Sequence, residues 1–129
     1  MQQGSCHCGQ IRFEVDGDVS QVLECNCSHC SRKGYLLWFV PRAQLRITSP
    51  TQSLSTYKFN KHVIAHHFCA NCGCAPFGFG VSPKGEETAA VNARCLESVD
   101  INALTRIPYD GRNVCLLYTS DAADDSLRV

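Results

Sequence analysis

Alternation of apolar and polar residues along the chain predicts a series of short β-strands. Between residues 10 and 15 every second residue is apolar (Ile11, Phe13 and Val15), which is the period of a half-buried strand. The turn sequence Asp-Gly-Asp at 16–18 then ends this strand. Similar patterns, or apolar runs bounded by turn residues, predict further strands at about 22–27, 35–40, 45–48, 54–59, 62–68, 76–81 and 88–96.

Helix signals are scarce by comparison. The one segment that favours a helix is 100–104, where Asp100 is placed as an N-cap before Ile101, Ala103 and Leu104. With 129 residues, the chain matches the usual length of one domain. We therefore expect a single, mainly β domain with short connections and little helix.

Composition and charge exclude several classes of partner. Hydrophobic residues make up 44% of the chain and charged residues 19%, as in ordinary globular domains. Twelve Lys and Arg balance twelve Asp and Glu, so there is no basic footprint for nucleic acid or for an anionic membrane. The sequence has no apolar run of about 18 residues and does not begin like a signal peptide, so we expect a cytoplasmic protein.

The end of the chain changes character after the Asp-Gly-Arg-Asn turn. Residues 115–125 (CLLYTSDAADD) resemble a translation of the transposase adaptor that is used in sequencing libraries. We interpret 115–129 as an artefact and 1–114 as the domain, with the natural reading frame interrupted at about Asn113. Codons that differ from the adaptor sequence would contradict this interpretation.

The chain contains ten cysteines, and in a reducing compartment clustered cysteines are more often metal ligands than disulfides. Cys6 and Cys8 are two residues apart, which places both sulfur atoms on one face of an extended chain. Cys69 and Cys72 form a Cys-x-x-Cys turn. Together these four thiolates are the closed ligand set of structural zinc. The alternative is that they are buried, apolar cysteines.

A second cluster combines the two spacings within one short run. Cys25, Cys27 and Cys30 offer three thiolates, which would leave one position on zinc open for water or a substrate, as in catalytic sites. His29 is a candidate for the fourth ligand, although a histidine next to a ligand more often supports the site without binding the metal. A second structural zinc is the alternative interpretation.

The remaining cysteines and histidines have less defined roles. Cys74 and Cys95 are best interpreted as small buried residues. The alternative for Cys95 is that it faces the open metal, with Arg94 nearby to bind an anionic substrate group. His62, His66 and His67 precede the Cys69 turn. One of them would serve as a hydrogen-bond partner of a metal-bound sulfur or as a proton shuttle, unless all three are simply exposed on a strand.

Four ordered motifs resemble the glutathione-dependent formaldehyde-activating family, also called the centromere protein V/GFA domain. They are Gly-Ser-Cys-His-Cys-Gly at 4–9, Cys-Asn-Cys-Ser-x-Cys-x-Arg-Lys-Gly at 25–34, Phe-Cys-x-x-Cys-Gly-x-x-Pro-Phe at 68–77 and Val-Asn-x-Arg-Cys-Leu-Glu at 91–97. The resemblance implies a β-tent fold, in which antiparallel sheets are held by zinc. It assigns structural zinc to Cys6, Cys8, Cys69 and Cys72, and catalytic zinc to Cys25, Cys27 and Cys30.

The activity implied by the resemblance joins formaldehyde to the thiol of glutathione, giving S-(hydroxymethyl)glutathione. The expected enzyme is thus a zinc-dependent carbon–sulfur lyase or synthase with a small thiol and formaldehyde as its partners, and His29 or His66 is a candidate proton donor. Two other functions remain open from sequence. One is a non-catalytic zinc module that binds a protein, and the other is a thiol redox or metal-buffering protein.

Overall fold

The structure is a computed structural model that describes residues 1–58, 64–82 and 84–110. Within these residues the chain is mainly β, with one short α-helix and three single turns of 3₁₀ helix at Arg42–Gln44, Ala93–Cys95 and Ile101–Ala103. The strands and the helix, in chain order, are β1 (Gln2–Ser5), β2 (Arg12–Val15), β3 (Gln21–Cys25), α1 (Ser28–Lys33), β4 (Leu37–Pro41), β5 (Leu45–Ile47), β6 (Leu54–Tyr57), β7 (Ala65–Cys69), β8 (Phe77–Val81), β9 (Glu87–Asn92) and β10 (Thr105–Tyr109).

The strands form two sheets. A three-stranded sheet has the order β1-β2-β5, and a seven-stranded sheet has the order β10-β3-β4-β9-β8-β7-β6. Neighbouring strands are antiparallel in both sheets except for β10, which pairs in parallel with β3. The expected mainly β fold with little helix is confirmed, but the larger sheet is mixed rather than purely antiparallel.

The main hydrophobic core lies between the two sheets. The smaller sheet contributes Phe13 and Val15, while Phe77 and Val91 come from the larger one, and all four are nearly inaccessible to solvent. The rings of Phe13 and Phe77 meet edge to face with their centroids 5.3 Å apart. Such a pair adds about 1 kcal/mol to the free energy of unfolding beyond simple burial. The contact joins one sheet to the other.

The seven-stranded sheet has one face toward this core and one face away from it. Paired residues on neighbouring strands point to the same face, and successive residues alternate. Phe77 is paired with Val91 and with His67, so Cys69, two residues beyond His67, also faces the core. Asn92 follows Val91 and therefore points to the opposite face, as does its partner Leu37. Leu23 is paired with Leu37, so Cys25, two residues beyond Leu23, also points away from the core. The two predicted metal clusters therefore use opposite faces of one sheet.

Several predicted boundaries were wrong. The segment at 100–104 is a single 3₁₀ turn rather than an α-helix, although the Asp100 carboxylate does accept a hydrogen bond from the Asn102 amide at 3.0 Å, as an N-cap does. The predicted strand at 88–96 ends at Asn92, where Ala93–Cys95 form another 3₁₀ turn. The strand predicted at 22–27 is β3, which ends at Cys25, and helix α1, which begins at Ser28, was not predicted.

Two strands were not predicted. β1 (Gln-Gln-Gly-Ser) has no apolar stripe. In β10, Ile107 and Tyr109 alternate with Arg106 and Pro108, but the proline weakens the strand pattern, and every residue of this strand is exposed. The N-terminal part of the strand predicted at 62–68 lies outside the described residues, as do the domain boundary at 114 and the segment 115–129, which stay predictions. Among the helices that the structure describes, none is long and apolar enough to cross a bilayer.

Candidate functional site

The first cysteine cluster draws on both sheets. Cys6 and Cys8 follow β1, Cys69 ends β7, and Cys72 lies in the turn after β7. The sulfur atoms of Cys6 and Cys8 are 3.6 Å apart, and those of Cys8 and Cys69 are also 3.6 Å apart. All four sulfur atoms lie within 4.8 Å of one another. Four thiolates at about 2.3 Å from a tetrahedral zinc would be about 3.8 Å apart, so the donor set fits this ion.

Hydrogen bonds around this cluster favour the thiolate form that a metal requires. The Ile11 amide donates to the Cys6 sulfur at 3.4 Å. Burial disfavours ionisation of Cys72, but the amides of Cys74 and Cys8 outweigh it and lower its pKa to about 6. The side chain of Asn71 and the amide of Gln10 lower the pKa of Cys8. Negative charge is thus favoured at Cys8 and Cys72, whereas burial raises the pKa of Cys69 to about 11.

The second cluster surrounds the start of α1. Cys25 ends β3, Cys27 is the N-cap of α1 and Cys30 lies in the middle of the helix. The Cys27 sulfur accepts a hydrogen bond from the Cys30 amide at 3.3 Å, which satisfies one of the free amides at the helix N-terminus. The three sulfur atoms lie within 4.8 Å of one another. Gly34, with a φ of 70°, then ends the helix in the left-handed conformation.

Charge is unevenly distributed among these three sulfurs. Hydrogen bonds from the thiols of Cys25 and Cys30, with further donation from backbone amides, lower the pKa of Cys27 to about 2. The same contacts raise the pKa of Cys30, because its proton is shared with its neighbours. The contacts thus favour the thiolate form at Cys27 over the other two thiols. Three soft donors suit zinc, and within the described ranges no further His, Cys, Asp or Glu completes the group.

A pocket of about 570 Å³ opens beside the second cluster. Tyr35 and Ala75 line it and also pack against Cys27 and Cys30. A pocket of this size suits a small molecule, since ligand sites usually enclose about 300–1,000 Å³. The described residues that line it are His29, Arg32, Lys33, Tyr35, Tyr57, His66, His67, Phe68 and Ala75.

Two histidines and a tyrosine form one wall of the pocket. The ring centroids of His29 and His66 are 4.3 Å apart, and those of His29 and Tyr57 are 5.5 Å apart. The His29 ring therefore lies among aromatic groups, outside the group of three sulfurs in which it was a candidate ligand. Burial, followed by the nearby charge of His29, lowers the pKa of His66 to about 4, so the His66 ring is neutral at pH 7.

The other candidates from the sequence lie away from the second cluster. His67 Nδ1 is 2.9 Å from the Thr56 hydroxyl, and its ring packs edge-on against Phe79. Cys95 belongs to neither group of sulfur atoms, and burial, followed by the charge of Cys74, raises its pKa to about 12. Cys74 is also outside both groups, and it packs against the main core.

Arg94 has a structural contact rather than a place in the pocket. Its Nε donates a hydrogen bond to the carbonyl oxygen of Gly34 at 2.9 Å, which ties the Ala93–Cys95 turn to the end of α1. His62 lies outside the described residues.

Sequence reasoning missed several residues of the pocket. Arg32 and Lys33 lie two and three residues after Cys30, and a helix predicted between Cys27 and Gly34 would have placed them on the face of His29. Tyr57 enters the pocket because β6 pairs it with His66. No local pattern in the sequence indicates that pairing.

Comparison with known proteins identifies the family. The family model described as glutathione-dependent formaldehyde-activating enzyme (GFA) matches residues 1–107. The chain therefore belongs to the GFA family, and the predicted resemblance is confirmed. A crystal structure of a Rhodobacter sphaeroides protein is similar, with a TM-score of 0.72 and 29% sequence identity over 82% of this chain and 97% of that chain.

Proposed function

We propose that this protein is a zinc-dependent enzyme that adds formaldehyde to a small thiol such as glutathione, giving S-(hydroxymethyl)glutathione. In the reverse direction the reaction is that of a carbon–sulfur lyase. Membership of the GFA family supports the substrates at the level of the family. The observation that carries the proposal for this chain is the three-sulfur cluster, to which the described residues add no fourth ligand, next to a pocket of ligand size.

The first cluster is proposed to hold a structural zinc. Cys6, Cys8, Cys69 and Cys72 would fill all four positions of a tetrahedral ion, which leaves no room for a substrate. Its donors come from loops of both sheets, so the ion would join them.

The second cluster is proposed to hold the catalytic zinc, with Cys25, Cys27 and Cys30 as ligands. When bound there, zinc would supply Lewis acidity that favours the thiolate form of a substrate thiol at neutral pH. The protein would contribute a site that holds this thiol and formaldehyde in contact, next to the helix start that positions Cys27 and Cys30.

The reaction balances without an oxidant or a reductant. A bond forms between the thiol sulfur and the carbonyl carbon, the carbon–oxygen double bond becomes a single bond, and the thiol proton ends on the oxygen. His66 is neutral at pH 7 and lines the pocket, so its ring can pass on this proton. We propose that the reaction takes place in the cytoplasm, where small thiols stay reduced.

Zinc content and activity of matched cysteine variants test the proposal. We expect two zinc ions per chain in the wild type and one in Cys27→Ser, which should also lose thiol-dependent consumption of formaldehyde. Cys95→Ser changes a cysteine outside both clusters and serves as the control, with two zinc ions retained. One zinc in all three proteins, without thiol-dependent consumption, would indicate a non-catalytic zinc module. Reversible disulfide formation with loss of metal would instead indicate a redox or metal-buffering protein.

A further inference from the structure

The pocket beside the second cluster has a charged side and an aromatic side. Arg32 and Lys33 form the last turn of α1, and both line the pocket with His29 from the first turn of the same helix. Residues three and four apart share a helix face, so His29, Arg32 and Lys33 project together. The helix that carries Cys30 thus also supplies two cations to the pocket.

No carboxylate is found among the described residues that line this pocket. Neither Arg32 nor Lys33 forms an ion pair with any residue in the described ranges. Arg32 donates one hydrogen bond, from Nη1 to the Ser28 carbonyl oxygen at 2.9 Å, and its other donors stay available. The described residues that line the pocket therefore carry the positive charges of Arg32 and Lys33 without a carboxylate to balance them.

Lys33 is held at the pocket by an aromatic ring. Its Nζ lies 5.4 Å from the centroid of Phe68, a distance at which a cation is attracted to the ring face.

The two cations lie on the same short helix as one sulfur of the second cluster. Lys33 follows Cys30 by three residues, or about 4.5 Å along the helix axis. Glutathione carries two carboxylates in the same molecule as its thiol. A glutathione thiol at the three-sulfur cluster would thus bring a carboxylate to the pocket that Arg32 and Lys33 line.

We propose that Arg32 and Lys33 are specificity residues that bind a carboxylate of the substrate and so select anionic thiols over neutral ones. This inference rests on the proposed function for its choice of thiol. Charge-assisted hydrogen bonds from a guanidinium or an ammonium to a carboxylate are about twice as strong as neutral ones. The two side chains therefore set the preference of the pocket, while the sulfur cluster supplies the chemistry.

Calorimetry with S-methylglutathione tests the inference independently of turnover. This ligand keeps both carboxylates of glutathione but has no free thiol. We expect the zinc-loaded wild type to bind it, and the double variant Arg32→Gln/Lys33→Gln to bind it at least about tenfold more weakly. Lys84→Gln, which changes a lysine in the turn between β8 and β9, serves as the matched control with unchanged affinity. Equal affinity of the double variant and the wild type would overturn the inference.

Two further measurements separate the possible outcomes. Lys33→Gln alone removes one charge and leaves the hydrogen bond from Arg32 to Ser28 within α1 in place. If the double variant loses affinity because it lacks the two charges, part of that tenfold loss must also appear in this single variant. In the assay with formaldehyde, the ratio of kcat/KM for glutathione to that for 2-mercaptoethanol should fall about tenfold in the double variant. If no thiol supports turnover in the wild type, the proposed function fails, and calorimetry still decides whether Arg32 and Lys33 bind carboxylates.

Discussion

At the scale of single residues, Cys27 and Gly4 show how the immediate contacts of one residue restrict what can stand at its position. Cys27 combines two tasks, since its sulfur caps α1 through the Cys30 amide and is the most acidic thiol of its cluster. At Gly4 the restriction is steric, because this residue lies directly against the Phe13 ring. A Cβ at this position would also be 2.8 Å from the carbonyl oxygen of Cys95.

We expect Gly4→Ala to lower the free energy of unfolding by about 1–3 kcal/mol, as overpacking of a core usually does. Urea unfolding at constant zinc concentration measures the change. Gly80→Ala is the matched control, because the three atoms nearest to a Cβ there all belong to the side chain of Ile64, a residue that is 47% exposed and can move aside. Equal unfolding midpoints for the Gly4 variant and the wild type would contradict the close packing at this position.

At the scale of elements, the second cluster depends on its neighbours because α1 is only six residues long. A helix of this length is not stable alone in water. It is held by the Cys27 cap and by Gly34 at its end, and the loop before it lies beside β10, which pairs in parallel with β3. The Asn26 amide donates to the Tyr109 carbonyl oxygen at 3.2 Å, and the Asn26 side chain donates to Asp110 at 3.0 Å. β10 thus supports the loop between Cys25 and Cys27.

We expect Asp110→Ala to weaken zinc binding at the second cluster by about tenfold, since groups that orient metal-binding loops usually contribute this much. Competition with a chromophoric chelator measures the affinity of the weaker site. Asp110→Asn keeps an acceptor oxygen for Asn26 and should restore most of the affinity. An unchanged affinity in the alanine variant would show that β10 does not support the loop.

At the scale of the whole molecule, the two clusters differ in what they connect. The first one brings together residues that are 61 positions apart, Cys8 and Cys69, and it joins the small sheet to the large one. The second one links residues within one short run of the sequence. Closing a long loop restricts the unfolded chain more than closing a short one, so metal at the first cluster should contribute more to stability.

We expect removal of both metals with a strong chelator to lower Tm by at least about 10 °C, because the loss of several kcal/mol shifts Tm by this much in a small domain. Cys69→Ser should reproduce most of this shift, and Cys27→Ser should produce a much smaller one. Differential scanning calorimetry of the three samples measures it. A larger shift for Cys27→Ser than for Cys69→Ser would contradict the structural role of the first cluster.

The sequence by itself determined the mainly β class and the grouping of seven cysteines into two clusters. Strands such as β2 were predictable because their alternation is local. The Cys-x-Cys and Cys-x-x-Cys spacings likewise place donors together through short-range geometry. Family membership followed from the same motifs, and it is confirmed over residues 1–107.

Only the tertiary structure decided how these parts meet. The edge strand β1 has no apolar stripe and every residue of the edge strand β10 is exposed, so the places of both depend on backbone pairing with β2 and β3. The placement of the two clusters on opposite faces of one sheet depends on strand register, which distant residues set. The pocket arises in the same way, since the pairing of Tyr57 with His66 and the packing of α1 bring its walls together. Local patterns determine elements and donor pairs, whereas pairing across long stretches of chain determines which of them share a site.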